Sequence, residues 1–590
     1  MIRFIKNYYP LILIIILGVL LRFWGVFHDW PLSSAASGRD EINILTGSLK
    51  MLSNFSLVPR AADSGGGTYF PLMYYFYLPF LMVYAGILFI LGQVHTLADI
   101  KNSVALNLGD WLLVGRFISI ILGSFSIYLI YLIGQRLFDK KSVAYLAALF
   151  FALSPFNVAL SHFGKIWTPQ VFFILLAFYF FLRFWQDPNG RLSIKIVFFT
   201  ALFVLLSFAV NLVGAIAYPL LLLIIFIYYC DFKWRKFFAF LTSRWSILLH
   251  LFLVIGVLVV FLITPDWFKS YDIIRRIFFT IDTGIPFYAQ DSFWDLPWWG
   301  KTGLVLNILL QFETVAFLFL APAFWFLYKQ GKKNFYFLLF SLLGFFIVLS
   351  PPLMNTTRPR YLSLLTPFLI FPAAYLSNKL VTCFRQKRAS LVFIFVFIAI
   401  IIAPALFIDL KYDYLLQKNS TKLELYSWLK NNLQPGEKAL LVEYYFLQDL
   451  PPDKELISLI KEYSPSYYST RLKYIDSGLA GDLRGYGLYS NGFICQWPKE
   501  VVEKIKFDYI IIAETKTPPS FDLANYHDFR LLDVCDSIPK YRLTTEQLVF
   551  SEDNSPYFNY SIDSGTPLES YYPLWQIKKI GKPVNIYKIK

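Results

Sequence analysis

Residues 111–134 read WLLVGRFISIILGSFSIYLIYLIG, an apolar run long enough to cross a bilayer core of about 30 Å as a helix. This run, like the similar ones named below, holds Gly and aromatic residues without strict alternation. It therefore predicts a helix and not a barrel strand. The chain is therefore expected to be a polytopic α-helical membrane protein. Similar runs lie at about 9–27, 142–160, 168–185, 195–211, 212–229, 245–264, 304–327, 335–350, 361–380 and 390–408.

The composition supports this class. Of the 590 residues, 57% are hydrophobic and only 16% are charged, whereas a soluble chain carries about 25% charged residues. A disordered chain, a coiled coil and a soluble multidomain enzyme are therefore excluded. The net charge of +15 stands in short basic clusters between apolar runs, as in the cytoplasmic loops of membrane proteins. We expect membrane lipids, and not nucleic acid, as partners.

The same clusters predict the orientation. The loops around 135–141, 231–245, 328–334 and 379–388 all become cytoplasmic, with the N-terminus, if the apolar segment 70–92 does not fully cross. Pro71 and Pro79 interrupt that segment, and its tyrosines prefer the membrane interface. We expect a juxtamembrane or re-entrant segment there, about eleven spans in the plasma membrane, and a C-terminus outside. A plain twelfth helix is the alternative.

The chain divides near residue 409. Residues 1–408 form the membrane module, with a first outer loop at 28–110, and residues 409–590 are polar. The tail is expected to be a soluble, extracytoplasmic α/β domain, with Cys495 and Cys535 as either a disulfide or two free thiols. Its predicted elements are a helix over Thr421–Asn432 and strands over Ala439–Phe446, Asp508–Ala513 and Val584–Ile589.

Two adjacent carboxylates, Asp40 and Glu41, follow the first helix in the first outer loop. A carboxylate at the mouth of a membrane protein can serve as a general base or a metal ligand. Neighbours on a helix point about 100° apart, so only one of the two is expected to face a reacting group. Alternatively, the pair marks a solvated helix N-terminus, where acids favour the positive end of the helix dipole.

A series of short motifs begins with this pair and continues along the chain. The series resembles the GT-C superfamily of lipid-linked glycosyltransferases, and within it the branch holding protein O-mannosyltransferases and the aminoarabinose transferase of lipid A. In architecture the resemblance extends over roughly residues 1–410. The later motifs are Pro71-Leu72-Met73-Tyr74-Tyr75, Val114-Gly115-Arg116-Phe117-Ile118-Ser119, Leu132-Ile133-Gly134-Gln135-Arg136-Leu137-Phe138, Leu153-Ser154-Pro155, Thr357-Arg358-Pro359-Arg360-Tyr361-Leu362 and Pro583-Val584-Asn585-Ile586-Tyr587-Lys588.

The resemblance implies an enzyme that moves a sugar from a polyprenyl-phosphate donor to an acceptor on the outer face. It implies that Asp40 acts as general base or metal ligand, with Glu41 as its helper. The leaving lipid phosphate needs fixed positive charge, which Arg supplies through its planar donor fork. The candidate cations are Arg358, Arg360, Lys165 and Arg116, which otherwise extend their side chains to the membrane interface.

Two features of the site stay open in the sequence. The loop 161–168 lacks the second acid that many relatives place there, so His162 either binds a divalent metal (Mg²⁺, Mn²⁺ or Zn²⁺) with Asp40 or only forms hydrogen bonds. The rings that suit a sugar or acceptor cavity would also suit an interfacial aromatic belt. They are Tyr74, Tyr75, Trp298 and Trp299.

The sequence leaves other functions to be weighed. A lipid or polysaccharide transporter or flippase usually carries charged residues deep in its helices and paired broken helices. The apolar runs here are nearly free of charge, which favours chemistry on a lipid headgroup. A non-catalytic scaffold that displays the tail domain is the third reading. The sugar, the acceptor (protein, lipid or glycan) and the oligomeric state do not follow from the sequence.

Overall fold

The structure of this chain is a computed structural model. It describes residues 2–32, 40–54, 72–185, 194–263, 303, 306, 309–310, 312–349, 359–386, 391–442, 450–465, 470–477, 484–490, 494–495, 497–513, 530–532, 541–543, 545–552, 579–581 and 584–589. For some of these residues, Asp40 and Arg360 among them, the description covers the backbone alone.

The N-terminal two thirds of the chain are helical. The helices are α1 (Ile2–Phe23), α2 (Asp40–Asn54), α3 (Leu72–Ile90), α4 (Leu97–Leu106), α5 (Leu108–Phe138), α6 (Lys141–Ala152), α7 (Pro155–Ser161), α8 (Trp167–Trp185), α9 (Ile194–Val210), α10 (Ala217–Ile224), α11 (Trp234–Leu241), α12 (Arg244–Ile263), α13 (Thr314–Leu318), α14 (Leu320–Gln330), α15 (Lys332–Leu349), α16 (Thr366–Gln386) and α17 (Leu391–Gln417). Short 3₁₀ segments occupy Leu212–Ile216 and Pro359–Leu364, and a π-helical turn occupies Ile225–Tyr229.

Helix α5 is the centre of this bundle. It is 31 residues long, contains the apolar run 111–134, and packs against α1, α6 and α8. Trp111 and Arg116 are among the largest fully buried side chains. Small residues let the neighbours approach closely: the Cα of Gly115 is so near the main chain of Gly164 that a Cβ at position 115 would lie 3.2 Å from the Gly164 Cα.

The predicted spans coincide with helices along the chain, but the number of spans is not confirmed. By length and composition, three helices in the described ranges could cross a membrane, or up to five if two bent helix pairs count as spans. The expected eleven spans are not confirmed. One bend, of 53°, separates α6 from α7 inside the predicted span 142–160, where Pro155 begins the new helix.

The segment 70–92 forms helix α3, and α3 is one of the three long apolar helices. It continues through Pro79, so the predicted break at this residue is wrong. Pro71 lies outside the described residues. Whether α3 stops short of a full crossing stays a prediction.

The tail contains helices and a mixed sheet, as expected. Five strands lie in the order β2-β1-β3-β7-β6, with β1 parallel to β2 and β3 and with β7 antiparallel to its neighbours. A two-stranded sheet pairs β4 with β5. The strands are β1 (Lys438–Val442), β2 (Gly487–Ser490), β3 (Tyr509–Ala513), β4 (Arg530–Leu532), β5 (Tyr541–Leu543), β6 (Leu548–Glu552) and β7 (Val584–Lys588), and the helices are α18 (Thr421–Asn432), α19 (Lys454–Tyr463), α20 (Thr470–Asp476) and α21 (Lys499–Val502).

The larger sheet is covered on both faces. Successive side chains of a strand point to opposite faces, so Leu440 packs with α19 whereas Leu441 packs with α18. This explains why β1 reads as a continuous apolar run. Cys495 is disulfide-bonded, and its predicted partner Cys535 lies outside the described residues.

Candidate active site

The start of α2 is held by a buried ion pair between Glu41 and Arg116. The Arg116 Nε and Nη2 atoms donate to the two carboxylate oxygens of Glu41 at 2.9 and 3.1 Å, and both side chains are almost fully buried. Glu41 Oε1 also accepts a hydrogen bond from the main-chain N–H of Gly164 at 2.7 Å. One carboxylate therefore ties α2, α5 and the loop between α7 and α8 together.

Arg116 also fixes the segment that follows α1. Its Nη1 atom donates to the carbonyl oxygens of Val26 at 3.0 Å and His28 at 2.7 Å. Four of the five guanidinium donors are thus engaged inside the protein. These contacts favour a positioning role for Arg116 over the predicted phosphate contact, and the same holds for Glu41 as the predicted catalytic helper.

Lys165 lies three residues after His162 and directly after Gly164, the residue that Glu41 binds. Its side chain is buried, with Nζ 5.0 Å from the centre of the Phe163 ring. Its carbonyl oxygen accepts a hydrogen bond from the Tyr77 hydroxyl at 3.4 Å. A buried cation on a loop tied to the start of α2 is suited to an anionic group.

The electrostatics support one shared region. Burial, Arg116, His162 and Lys165 together hold the pKa of His28 well below its usual value, with burial the largest cause. His28 is therefore neutral at physiological pH. Arg116 and Lys165 act on the same imidazole, so the two cations lie near each other.

His162 is fully buried beside this region. Its Nε2 atom lies 3.0 Å from the carbonyl oxygen of Trp24 and 3.2 Å from Asp413 Oδ1. Burial is the main cause that lowers the pKa of His162 to about 4. No group of three His, Cys, Asp or Glu side chains that could hold a metal ion occurs within the described ranges. The side chain of Asp40 is not among those described, so metal binding by His162 and Asp40 stays a prediction.

The turn that contains Arg360 meets the same loop. Residues Pro359–Leu364 pack against both α7 and α8, the helices on either side of Lys165. A buried polar network fixes this contact, because the Asn157 side-chain amide donates to Thr366 Oγ1 at 2.6 Å and to Ser154 Oγ at 2.8 Å. Ser154 Oγ in turn donates to Glu313 Oε1 at 2.5 Å. The backbone of Arg360 is thereby brought towards the loop of Lys165.

The remaining predicted residues fall into two groups. Tyr74 is buried against Gly47, where an added Cβ would lie 2.5 Å from its ring, and Ser48 Oγ donates to its carbonyl oxygen. This packing favours a structural role, whereas Tyr75 is partly exposed. Arg358, Trp298 and Trp299 lie outside the described residues. Asp40 is the first residue of α2, and only its backbone is described.

A second buried charge cluster was not predicted from the sequence. It joins Arg22, in the last turn of α1, to Asp409 and Asp413 on α17, all fully or almost fully buried. Arg22 also donates to the carbonyl oxygens of Gly18 and Ala152, each at 3.0 Å. The available signal was the i, i+4 spacing of the two aspartates, which places them on one helix face.

Comparisons with known proteins agree with the predicted resemblance. Residues 98–267 match the family model described as dolichyl-phosphate-mannose-protein mannosyltransferase. This stretch contains three of the motifs quoted above, including those around Arg116 and Pro155. The resemblance to the protein O-mannosyltransferase branch of the lipid-linked glycosyltransferases is thereby confirmed.

No curated protein sequence matches the chain. Among solved structures, the oligosaccharyltransferase AglB from Archaeoglobus fulgidus, in complex with an inhibitory peptide and a dolichol-phosphate, is 14% identical with a TM-score of 0.48, and the match covers 86% of this chain and 70% of that one. ArnT from Cupriavidus metallidurans is 13% identical in its apo state with a TM-score of 0.47, covering 91% of this chain and 97% of that one. The undecaprenyl phosphate-bound ArnT gives 12% identity, a TM-score of 0.46 and coverages of 89% and 96%.

Proposed function

We propose that this chain is an integral-membrane glycosyltransferase that transfers a sugar from a polyprenyl-phosphate donor to an acceptor on the outer face of the membrane. The observation that carries the proposal is the anchor at Glu41, which binds Arg116 and the N–H of Gly164 at once. This anchor holds Glu41, which follows Asp40, against Gly164, which precedes Lys165. The family match at residues 98–267 supports the reaction class.

In this proposal Asp40 is the general base. As the bond between the anomeric carbon and the donor phosphate oxygen breaks, the carbon gains oxocarbenium character. The acceptor hydroxyl attacks that carbon, and its proton passes to the Asp40 carboxylate. The lipid phosphate leaves as an anion. The absence of a second carboxylate in the loop 161–168 favours direct displacement with inversion over a covalent intermediate.

The leaving phosphate is assigned to the cations on the other side of the anchor. Lys165 is buried on the anchored loop, and the turn with Arg360 packs against the same two helices as that loop. Fixed positive charge in a site that excludes water stabilises a developing anion more strongly than it would in water. Arg358 joins this group as a sequence-based candidate, whereas Arg116 and Glu41 are assigned to positioning.

The rest of the proposed site follows from the sequence. Tyr75, Trp298 and Trp299 are retained as rings that could stack on the sugar or the acceptor. The tail domain is assigned to the outer side, where it could select the acceptor. The sugar is left open between hexose and pentose, and the acceptor between protein, lipid and glycan.

The test is transfer of radiolabelled sugar from synthetic polyprenyl-phosphate donors by the full-length protein in detergent, with and without Mn²⁺ or Mg²⁺. We expect Asp40→Asn to lower turnover by about 100-fold or more, since general-base catalysis contributes 10²–10⁴-fold. The matched control is Asp139→Asn. Asp139 is exposed at the far end of α5 and has a positive φ of 49°, a conformation that Asn adopts readily. Full activity in Asp40→Asn, or no transfer from any donor, would refute the proposal.

One observation favours the transporter alternative. Helix α6 is broken from α7, and Glu313 is buried where α7 begins, which are features of transport proteins. The same preparations decide between the two functions after reconstitution into vesicles. Movement of a fluorescent polyprenyl-phosphate lipid across the bilayer that is equal in wild type and Asp40→Asn, without sugar transfer, would favour the transporter.

A further inference from the structure

A groove opens on the surface of the bundle. It has a volume of about 230 Å³ and lies between the segment after α1, the middle of α3 and the first turns of α5. Four aromatic rings and a single carboxylate dominate its lining: Phe27, Trp30, Tyr84, Phe117 and Asp110. The proposed reaction does not use any of these residues.

The groove is built by contacts between distant parts of the chain. The Trp30 Nε1 atom donates to Asp110 Oδ1 at 2.7 Å, across 80 residues of sequence. The Phe27 and Phe117 rings meet edge to face, with centroids 6.1 Å apart. Tyr84 meets Trp111 in the same manner at 4.9 Å. The rings are therefore held by a packed wall while still facing the groove.

The surroundings of the groove indicate contact with lipid. Next to Tyr84 on α3, the side chains of Met82, Val83 and Ile87 are exposed, and α3 is long and apolar enough to span a membrane. Phe27 and Trp30 are also about half exposed, at 53% and 48%. Aromatic side chains of this kind collect at the level of the lipid headgroups.

The carboxylate of Asp110 favours a headgroup that carries a positive charge. A carboxylate repels a headgroup with a net negative charge, and a purely apolar chain offers no cation to pair with its charge. An ammonium group satisfies both parts of the lining, because it pairs with the carboxylate and is attracted to the faces of aromatic rings. The volume is small for acyl chains and adequate for a headgroup.

We infer that this groove binds the ammonium headgroup of a membrane lipid, with Asp110 as its counter-ion and the four rings as its walls. Phosphatidylethanolamine is the preferred class, because its primary ammonium can also donate hydrogen bonds to Asp110. Phosphatidylcholine binds through the rings alone, and phosphatidylglycerol, which has no cation, binds least. This site is separate from the proposed transferase site and does not depend on it.

The inference is tested by native mass spectrometry of the full-length protein, delipidated in detergent and titrated with each of the three lipids. We expect wild type to retain phosphatidylethanolamine over phosphatidylglycerol. Asp110→Asn, which keeps an acceptor for Trp30, should weaken phosphatidylethanolamine binding about tenfold and leave phosphatidylglycerol unchanged. Phe27→Leu, at an exposed position, should weaken it about threefold. Asp139→Asn is the control for loss of a carboxylate elsewhere on α5.

The competing explanation is structural, since Asp110 also lies in the first turn of α5, where a carboxylate stabilises the helix end. In that case Asp110→Asn would lower the unfolding temperature and change the binding of all three lipids equally. That outcome would overturn the inference. So would a wild-type protein that binds phosphatidylglycerol as well as phosphatidylethanolamine, or unchanged phosphatidylethanolamine binding in both variants.

Discussion

Two buried charge clusters lie close together in this bundle, and they are satisfied to different degrees. In the first, Glu41 and Arg116 balance in charge and form a two-bond pair, with a further N–H from Gly164. In the second, Arg22 faces two aspartates, Asp409 and Asp413. Neither oxygen of Asp413 accepts a hydrogen bond from the part of the chain that the structure describes.

The first cluster is a charge-balanced ion pair that anchors α2, whereas in the second cluster two carboxyl groups share one arginine. Removing one partner of a balanced buried pair leaves an uncompensated charge, which is strongly destabilising. In the second cluster two buried carboxyl groups share one cation, and burial together with their mutual repulsion favours their protonated form, so removing one of them costs little. The loss of one carboxyl group should therefore cost more stability in the first cluster than in the second.

The largest effect is expected from Arg116→Met. The Glu41 carboxylate would stay buried without its partner, and the carbonyl oxygens of Val26 and His28 would lose their donor. We expect a loss of about 3–5 kcal/mol in the free energy of unfolding, measured by thermal and denaturant unfolding in detergent. The double variant with Glu41→Gln should recover part of this loss. A single variant as stable as wild type would show that the pair is no anchor.

The next effect is a pH dependence from His162, which lies between the two clusters. Its pKa in the folded protein is about 4, against about 6.5 in an unfolded chain. As the pH falls below 6.5, the unfolded chain binds a proton that the folded chain does not, so stability falls until about pH 4. We expect a loss of up to about 3 kcal/mol over this window, followed as the unfolding temperature against pH. The pKa of His28 is also lowered by burial, so His28 contributes in the same pH range, and His162→Asn should reduce the slope of that profile without abolishing it. An unchanged slope in the variant would contradict the assignment.

A smaller effect is expected from Arg22→Met. This substitution removes donors to the carbonyl oxygens of Gly18 and Ala152, but the two aspartates can take up protons in response. We expect a loss of about 2 kcal/mol, less than for Arg116→Met in the same unfolding assay. A larger loss of stability for Arg22→Met than for Arg116→Met would contradict this expectation.

The smallest effect is expected from Asp413→Asn. This substitution replaces one of the two carboxyl groups that share Arg22 and keeps the shape of the side chain. We expect a change within about 1 kcal/mol, in either direction. The matched variant is Glu41→Gln, which removes a carboxylate from the balanced pair and should cost clearly more. Equal losses in these two variants would mean that the clusters do not differ.

Much of the fold could be predicted because apolar runs and turn residues are local signals. The strand at Asp508–Ala513 and the helix at Thr421–Asn432 are confirmed by β3 and α18. The break that the sequence predicts at Pro79 is absent from α3, because a proline can stay inside a helix packed by its neighbours. The predicted span 390–408 ended too early, because α17 continues to Gln417 and keeps both aspartates buried.

The site was predicted only in part, because charge pairing across the fold is not a local signal. The residues Glu41, Arg116 and Lys165 were singled out, and the structure brings them together. Their division into an anchor and a buried cation depends on contacts between residues 75 and 123 positions apart. Glu313 does not stand out in the sequence, because it is a single acid within the apolar run 304–327.

The position of β7 has a consequence for how the protein is made. Residues Val584–Lys588 lie between β3 and β6, so the last described strand joins two others that are synthesised much earlier. The sheet cannot close until that strand has been synthesised. Deleting residues 584–589 would therefore leave β3 and β6 without the strand that joins them.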